Sequence, residues 1–242
     1  MKEKLRLGHA ATMVNVGHPS SSMAELLGRL GVDAVFIDCE HGMAGPERVQ
    51  EMCRAVRYAG SVPIVRSEAN RDWLITRYLD AGAGGIMVPH IDTAEDARAL
   101  VSAVRYAKPK GYEALMVIAL VESVRALENL QDIAAVQGID ALFVGSGDLA
   151  NNLNLADQRF HPEVVARVTE AGRRIVQMGK VAGTRVTTQN APQFLEAGFR
   201  LLYENANAFV TAGARDFMAA CRAAPGSQTP PSPTAAAASI PQ

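Results

Sequence analysis

The chain has 242 residues, a formal net charge of −1, 48% hydrophobic residues and 20% charged residues. This is the composition of an ordinary globular protein, and the lack of basic surplus disfavours nucleic acid as a partner. No apolar run approaches the roughly 18 residues that a membrane span needs, and the N-terminus has no apolar signal segment. The three cysteines, Cys39, Cys53 and Cys221, form no CxxC pair, so we expect reduced thiols and a cytoplasmic protein.

Short apolar runs rich in Val, Ile and Ala alternate with stretches of helical periodicity along the chain. The runs lack polar alternation, which is typical of parallel strands that are buried on both faces. Eight strands are predicted in this way: ATMVNV (11–16), AVFID (34–38), VPIVR (62–66), GGIMVPH (84–90), LMVIALVE (115–122), DALFVGS (140–146), KVAGT (180–184) and RLLYEN (200–205).

A helical stretch follows each predicted strand. Pro46 suits a first helical turn, and Thr93 with Asp96 three residues later resembles a capping box. Eight strand–helix units, without a GxGxxG after the first strand, favour a single-domain α/β protein with the (β/α)8 TIM barrel fold. We assign residues 1–224 to the barrel. The tail at 225–242 is rich in Pro, Ser and Ala without charge, and it is predicted to be disordered.

Polar side chains cluster where the second and third strands end, the position of chemistry in such barrels. Asp38, Glu40 and His41 lie in IDCEHG (37–42), and Arg66 ends the next strand. Asp38 and His41 can form a dyad in which the carboxylate fixes the imidazole tautomer. Arg66 can hold an anion or polarise a carbonyl oxygen. The alternatives are a solvated loop for the dyad and a structural ion pair for Arg66.

Two carboxylates, Glu122 and Asp148, follow the fifth and sixth strands. Because hard cations prefer oxygen ligands, the pair could hold Mg²⁺, Mn²⁺ or Co²⁺ and leave positions for water and substrate. The alternative is that both residues only stabilise the starts of the following helices. The backbone N–H groups at Ser146 and Gly147 could bind a carboxylate or phosphate. No lysine ends a strand at this rim, which disfavours a Schiff-base aldolase.

Five motifs in one order, IDCEHG, VPIVRSE, GGIMVPH, ALVE and FVGSGDLA, make the chain resemble the HpcH/HpaI aldolase family from about residue 10 to 222. The resemblance implies a class II, metal-dependent pyruvate aldolase on a TIM barrel, assembled as a homohexamer with exchanged C-terminal helices. It implies catalytic roles for Asp38, His41 and Arg66, metal binding by Glu122 and Asp148, and binding of the pyruvate carboxylate at Ser146 and Gly147.

The reaction that this resemblance implies is cleavage of a 4-hydroxy-2-oxo acid into pyruvate and an aldehyde. The metal ion and Arg66 would stabilise the pyruvate enolate that develops when the carbon–carbon bond breaks. The Asp38–His41 dyad would move the proton of the 4-hydroxyl group. The expected partners are therefore a small 2-oxo acid substrate and further copies of the chain, without nucleic acid or membrane.

Three features depart from the family pattern. Leu120 stands where the family usually has glutamine, residues 105–117 are short and lack a lid motif, and YENAN around Glu204 ends the eighth strand. These departures keep open a citrate-synthase-like enzyme that condenses oxaloacetate with acetyl-CoA for siderophore biosynthesis, and a non-catalytic scaffold. A phosphate-binding isomerase is disfavoured because strands 7 and 8 lack Gly-rich loops. The aldehyde, the choice of metal, and the roles of Glu40 and His90 stay open.

Overall fold

The computed structural model describes residues 1–156 and 158–223. Within them, eight parallel strands close into a barrel, because each strand pairs with the next and the last pairs with the first. The predicted (β/α)8 TIM barrel is therefore confirmed. The strands are β1 (Ala11–Asn15), β2 (Ala34–Asp38), β3 (Val62–Arg66), β4 (Gly85–Val88), β5 (Met116–Val121), β6 (Ala141–Val144), β7 (Val181–Arg185) and β8 (Leu201–Asn205).

Helices occupy the connections between strands, as the apolar periodicity predicts. The predicted capping box of Thr93 and Asp96 is present, and Ser20 and Ser123 accept hydrogen bonds at two other helix starts. The helices are α1 (Lys2–Arg6), α2 (Ser21–Arg29), α3 (Pro46–Tyr58), α4 (Asp72–Asp80), α5 (Ala94–Ala107), α6 (Val124–Glu128), α7 (Leu130–Ala135), α8 (Ser146–Asn152), α9 (Pro162–Gln177), α10 (Ala191–Glu196) and α11 (Ala206–Ala223).

The barrel encloses a small apolar core of its own, separate from the larger core between the strands and the helices. Alternate strand residues point inward, so this interior is filled by side chains and is not a pore. Leu5 of α1 packs into the same cluster, at the face where the strands begin. The interior residues include Met13, Phe36, Ile64, Met87, Met116, Ile118, Leu120, Phe143 and Leu201.

Strand register decides which polar residues meet at the opposite, carboxyl end of the barrel. Asp38 of β2 lies beside Arg66 of β3. Val121 of β5 lies beside Val144 of β6, so the next residues, Glu122 and Gly145, are also neighbours. The register thus places Asp38 against Arg66 and Glu122 against Gly145 at this end of the barrel.

The chain divides into two compact units, Met1–Ala206 and a second that starts at Asn207. In the second unit, α11 continues to Ala223 and carries exposed apolar side chains, among them Phe209, Val210 and Phe217. The predicted disorder of residues 225–242 lies outside the described residues. Among the described helices, none has the length and apolar character that crossing a membrane requires.

Candidate active site

A cavity of about 230 Å³ opens at the carboxyl ends of the strands. Its floor is apolar, and the Tyr203 ring packs edge-to-face against Phe36 and Phe143 with centroid distances of 5.3 and 5.9 Å. The polar groups stand on the walls above that floor. The lining residues are Phe36, His41, Arg66, Met87, Leu120, Glu122, Phe143, Gly145, Ser146, Gly147, Asp148, Asn151, Arg159, Arg185 and Tyr203.

Arg66 is held by two carboxylates at the cavity wall. Its Nε and Nη2 donate to the two oxygens of Asp38 at 2.9 and 2.7 Å, a bidentate pair. Its Nη1 lies 2.8 Å from Oε2 of Glu40, in a direction that makes no hydrogen bond, so this contact is ionic. The Arg66 Cζ also sits 5.8 Å from the centre of the Phe36 ring. The guanidinium is therefore fixed in one orientation at the edge of the cavity.

The Asp38–His41 dyad predicted from the sequence does not form in this structure. Asp38 accepts the backbone N–H groups of Glu40 and His41 at 3.1 and 3.3 Å, and its side-chain partner is Arg66. Burial is the largest influence on the pKa of Asp38 and works to raise it. The hydrogen bonds and the charge of Arg66, together with the N–H groups of His41 and Glu40, outweigh burial and hold the pKa below its usual range. The carboxylate beside the His41 imidazole is Glu40, whose Oε2 lies 3.8 Å from Nε2. The pairing fails because strand register places Asp38 against Arg66.

Glu122 is an acid in an environment that disfavours its charge. Only 3% of its side chain is exposed, and burial raises its pKa to about 8. The backbone N–H of His90 donates to Oε1 at 3.0 Å and works to lower that pKa, whereas the negative charges of Asp148 and Glu40 raise it. A cation beside Glu122 would offset the free-energy cost of this buried negative charge.

His90 reaches Glu122 through an uncommon backbone conformation. Its φ of 56° lies in the left-handed region, which is rare for residues other than glycine. This conformation aims its N–H at Glu122 and places its ring between two acids, with Nδ1 3.2 Å from Glu122 Oε1 and Nε2 3.5 Å from Glu40 Oε1. His90 therefore links the two acidic residues, which the sequence pattern did not indicate.

Glu122 packs directly against the backbone of Gly145, which has room for it because glycine has no side chain. A Cβ at Gly145 would lie 2.8 Å from Glu122 Cβ and 2.9 Å from its Oε2, closer than real atoms approach. Asp148 lies in the first turn of α8, and its charge acts on Glu122. Ser146 and Gly147 line the same part of the cavity, in the first helical turn, whose N–H groups have no partner within the helix itself.

The predicted metal ligands fit a hard divalent cation. Glu122 is a buried carboxylate whose negative charge is unfavourable without a cation, and the second carboxylate, Asp148, adds to that cost. Among residues 1–156 and 158–223, no group of three or more His, Cys, Asp or Glu residues is placed so that it could hold a metal ion, so the candidate site rests on two carboxylates. Two carboxylates suit Mg²⁺ or Mn²⁺, which keep several positions for water and substrate.

The wall across from Arg66 carries groups that the sequence analysis did not assign. Arg185 donates to Oε1 of Glu204 through Nε at 3.2 Å and Nη2 at 3.1 Å. Asn15 donates from Nδ2 to the Tyr203 hydroxyl at 2.9 Å. Tyr203 was predicted only as a strand residue, and Arg185 follows the predicted seventh strand (180–184) without an assigned role. The inward alternation along β7 and β8 is the signal that could have found them. Arg159 lies in the loop before α9, where no pattern marks it.

Comparison with known proteins gives the family to which the chain belongs. The family profile described as HpcH/HpaI aldolase/citrate lyase matches residues 12–207. A 2-dehydro-3,6-dideoxy-6-sulfogluconate aldolase of Pseudomonas putida is 35% identical over 203 residues, or 74% of this chain and 80% of that protein. A hydroxypyruvate/pyruvate aldolase of Roseobacter denitrificans is 32% identical over 207 residues, or 75% of this chain and 80% of that protein.

Among solved structures, the crystal structure of citrate synthase SbnG superposes with a TM-score of 0.82 at 26% identity. The match covers 91% of this chain and 97% of that one. The barrel is thus shared with an enzyme whose name indicates another reaction, so fold alone does not select the chemistry. The profile match and the two curated aldolases, both above 30% identity, show that the chain belongs to the HpcH/HpaI aldolase/citrate lyase family.

Proposed function

We propose that this enzyme, a carbon–carbon lyase of the aldolase type, cleaves a 4-hydroxy-2-oxo acid into pyruvate and an aldehyde with a divalent ion held by Glu122 and Asp148. The observation that carries the proposal is the buried acid Glu122, with its pKa raised to about 8, beside Asp148 and the cavity that Arg66 lines. An uncompensated buried carboxylate lowers stability, and such groups concentrate at functional sites.

Arg66 and the start of α8 position the pyruvate half of the substrate in this proposal. The divalent ion supplies, when bound, Lewis-acid stabilisation of negative charge on the keto oxygen. Arg66 donates to that oxygen from a guanidinium that Asp38 and Glu40 have already oriented. The substrate carboxylate accepts from backbone N–H groups at Ser146 and Gly147.

His41 carries the proton in cleavage. Its side chain is 66% exposed and lines the cavity, so it can reach both substrate and water. It accepts the proton of the 4-hydroxyl group while the bond between carbons 3 and 4 breaks. The former hydroxyl carbon becomes the aldehyde, the electron pair stays on pyruvate as its enolate, and a proton added at carbon 3 completes pyruvate. Glu40 takes the orienting role that the sequence had assigned to Asp38.

The citrate-synthase-like alternative is supported by the structural similarity to citrate synthase SbnG and by Leu120 on the cavity floor. It explains less of the site, because condensation of acetyl-CoA with oxaloacetate without metal leaves Glu122 as a buried acid with no cation. Release of free CoA from acetyl-CoA and oxaloacetate, insensitive to chelator, would favour it over the aldolase.

Oxaloacetate decarboxylation tests the proposed function without knowledge of the aldehyde, because it also passes through the enolate of pyruvate. Protein treated with EDTA is assayed for pyruvate release before and after Mg²⁺, Mn²⁺ or Co²⁺ is restored. The proposal expects pyruvate release only with metal. A rate that EDTA leaves unchanged, in folded protein, would contradict it.

We also propose a homohexamer in the cytoplasm. Helix α11 carries four exposed apolar residues, Phe209, Val210, Phe217 and Met218, which suits a helix that packs against another copy of the chain. The free cysteines Cys39, Cys53 and Cys221 support a reducing compartment. Size-exclusion chromatography with light scattering tests the assembly, and a monomer would contradict it.

A further inference from the structure

A second cavity, of about 540 Å³, opens at the end of the barrel where the strands begin, opposite the candidate active site. Met116 and Val181, which line it, are the first residues of β5 and β7, and Arg200 immediately precedes β8. Helix α1 supplies Leu5 to the same lining. This amino-end cavity has a volume within the range of small-molecule sites, which is roughly 300–1,000 Å³.

The lining of the amino-end cavity carries more positive than negative charge. Among the described residues that line it, four are basic and one is acidic. Lys2 is balanced, because its Nζ lies 2.9 Å from Oδ2 of that acid, Asp140. Arg6 is balanced by Glu3, whose Oε1 lies 2.8 Å from Arg6 Nη2. The surplus positive charge therefore comes from the other two basic residues.

Those two residues, Lys180 and Arg200, have backbone carbonyl groups as partners. Lys180 donates from Nζ to the carbonyl oxygens of Val136 and Ile139 at 3.3 and 2.8 Å. Arg200 donates from Nε and Nη1 to the carbonyl oxygens of three other residues, at 2.8 to 2.9 Å. Within the part of the chain that the structure describes, neither cation forms an ion pair with a carboxylate. Because a carbonyl group has no net charge, both positive charges remain uncompensated.

Both cations also keep N–H donors beyond these bonds. An ammonium group has three donors, of which Lys180 uses two, and the carbonyl contacts of Arg200 leave its Nη2 unused among the described residues. Burial lowers the pKa of Lys180, although the charge of Asp140 works to raise it. An anion in the cavity would accept hydrogen bonds from these donors and favour the charged form of Lys180.

Apolar side chains complete the lining of the amino-end cavity. Val176 of α9 is 40% exposed, Val181 is half-buried, and Leu5 is buried. An inorganic ion at the two cations would leave this apolar surface in water. A ligand with a hydrocarbon part would cover it, which is favourable in proportion to the apolar area removed from water. The cavity therefore suits an organic anion.

We propose that the amino-end cavity binds a phosphate monoester with an apolar organic part. Its phosphate group carries a charge of about −2 near neutral pH, which balances Lys180 and Arg200 and accepts their remaining N–H donors. Its organic part lies against Val176, Val181 and Leu5. Among the described residues, the cavity shares no lining residue with the candidate active site, so this site and the proposed aldolase function can fail separately.

Phenyl phosphate is the probe for the first test. Calorimetry in a phosphate-free buffer of low ionic strength gives its affinity for the parent, Lys180→Met and Arg200→Met. Each variant should bind it roughly 10-fold more weakly, because a charge-assisted hydrogen bond to the phosphate is lost. Lys108→Met is the matched control, because Lys108 pairs with Asp80 on the outer surface, and it should bind like the parent.

Val176→Glu provides a test that leaves the carbonyl bonds of Lys180 and Arg200 in place. Its carboxylate at the edge of the cavity should repel the phosphate and weaken binding roughly 10-fold, whereas the uncharged Val176→Gln should bind like the parent. Hydrogen–deuterium exchange of the parent locates the ligand independently. Phenyl phosphate should slow exchange in α1 and at residues 178–181 more than at residues 38–42 of the opposite end.

Further ligands show which part of the probe is recognised. Phenyl phosphate should bind roughly 10-fold more tightly than inorganic phosphate and than benzoate, and phenol should not compete with it. Equal affinity for inorganic phosphate would overturn the organic ligand, and tighter binding of benzoate would overturn the phosphate group. No binding by the folded parent would overturn the site. Binding that survives Lys180→Met, Arg200→Met and Val176→Glu but is lost in Arg185→Met would also overturn it, since the anion would then lie in the candidate active site.

Discussion

The two walls of the cavity differ in how closely they follow the family resemblance. The wall formed by the ends of β2, β3, β5 and β6 carries Asp38, Arg66, Glu122 and Asp148, each at a position that the family motifs mark. The wall formed by β7 and β8 carries Arg185, Glu204 and Tyr203, and YENAN there departs from the pattern. In the proposed reaction the first wall carries the enolate chemistry and the second wall meets the aldehyde, so the chain matches the family motifs on the first wall and departs from them on the second. Each prediction below tests one side of that division.

The largest effect is expected from removing the proposed metal ligands on the wall formed by the ends of β2, β3, β5 and β6. Glu122→Ala and Asp148→Ala should each lower metal-dependent oxaloacetate decarboxylation by roughly 10³-fold, since electrostatic stabilisation of a developing charge is worth that much. Initial rates at saturating Mn²⁺ give the effect. Glu113→Ala, an exposed acid far from the cavity, is the matched control. A ligand variant that keeps more than a tenth of the parent rate would refute the assignment.

Substitution of Arg66 tests whether its ion pairs with Asp38 and Glu40 also stabilise the fold. Arg66→Met leaves Asp38 and Glu40 buried without their cation, which should destabilise the fold by about 3–5 kcal/mol. Urea denaturation measures the change. The double variant Asp38→Asn with Arg66→Met should recover part of the loss. Equal stability of parent and Arg66→Met would mean that the ion pair is solvated and not built into the site.

The raised pKa of Glu122 makes stability depend on pH in the metal-free protein. The folded pKa is about 8, and an unfolded glutamate titrates near about 4.3, so between these values the folded protein keeps a proton that the unfolded chain releases. Raising the pH through this window therefore destabilises the parent. Glu122→Gln cannot ionise, and in EDTA its Tm should exceed that of the parent increasingly from pH 4.5 to pH 8. A difference that does not change with pH would disprove the raised pKa.

The smallest effect is expected from a substitution on the wall formed by β7 and β8. Tyr203→Phe removes the acceptor of the Asn15 bond and should cost about 1 kcal/mol in unfolding free energy. It should also change kcat/KM for aldehydes more than the rate of oxaloacetate decarboxylation, which has no aldehyde. Both assays on the same preparation check this. A larger loss in decarboxylation than in aldol addition would place Tyr203 with the enolate groups and blur the division of the two walls.

The fold was predictable because eight buried strands and their helices each leave a local pattern. The predicted ranges 34–38 and 62–66 match β2 and β3. The predicted fourth strand, 84–90, was too long: β4 ends at Val88, because Pro89 has no N–H to donate to a ladder and His90 turns left-handed. Helix caps also depend on short sequence patterns, and the predicted capping box of Thr93 and Asp96 is present.

The sequence predicted which residues line the cavity better than it predicted which side chains contact each other. Barrel topology alone places Arg66 and Glu122 at one rim, so their shared cavity follows from counting strands. The partner of Asp38 depends on the register between two strands, which no local pattern records, and so the predicted pair with His41 was wrong. Arg185 received no role because the predicted seventh strand ends at residue 184, one residue before β7 ends in the structure, and no motif marks the arginine that follows.

Binding of Mn²⁺, followed by calorimetry or by electron paramagnetic resonance, tests the central claim most directly, because it needs neither substrate nor turnover. The account predicts a Mn²⁺ site in the parent that tightens when pyruvate or oxalate is added. That site should be lost in the double variant Glu122→Ala with Asp148→Ala. No binding by folded parent protein, or binding that survives the double substitution, would contradict the metal-centred account of this cavity.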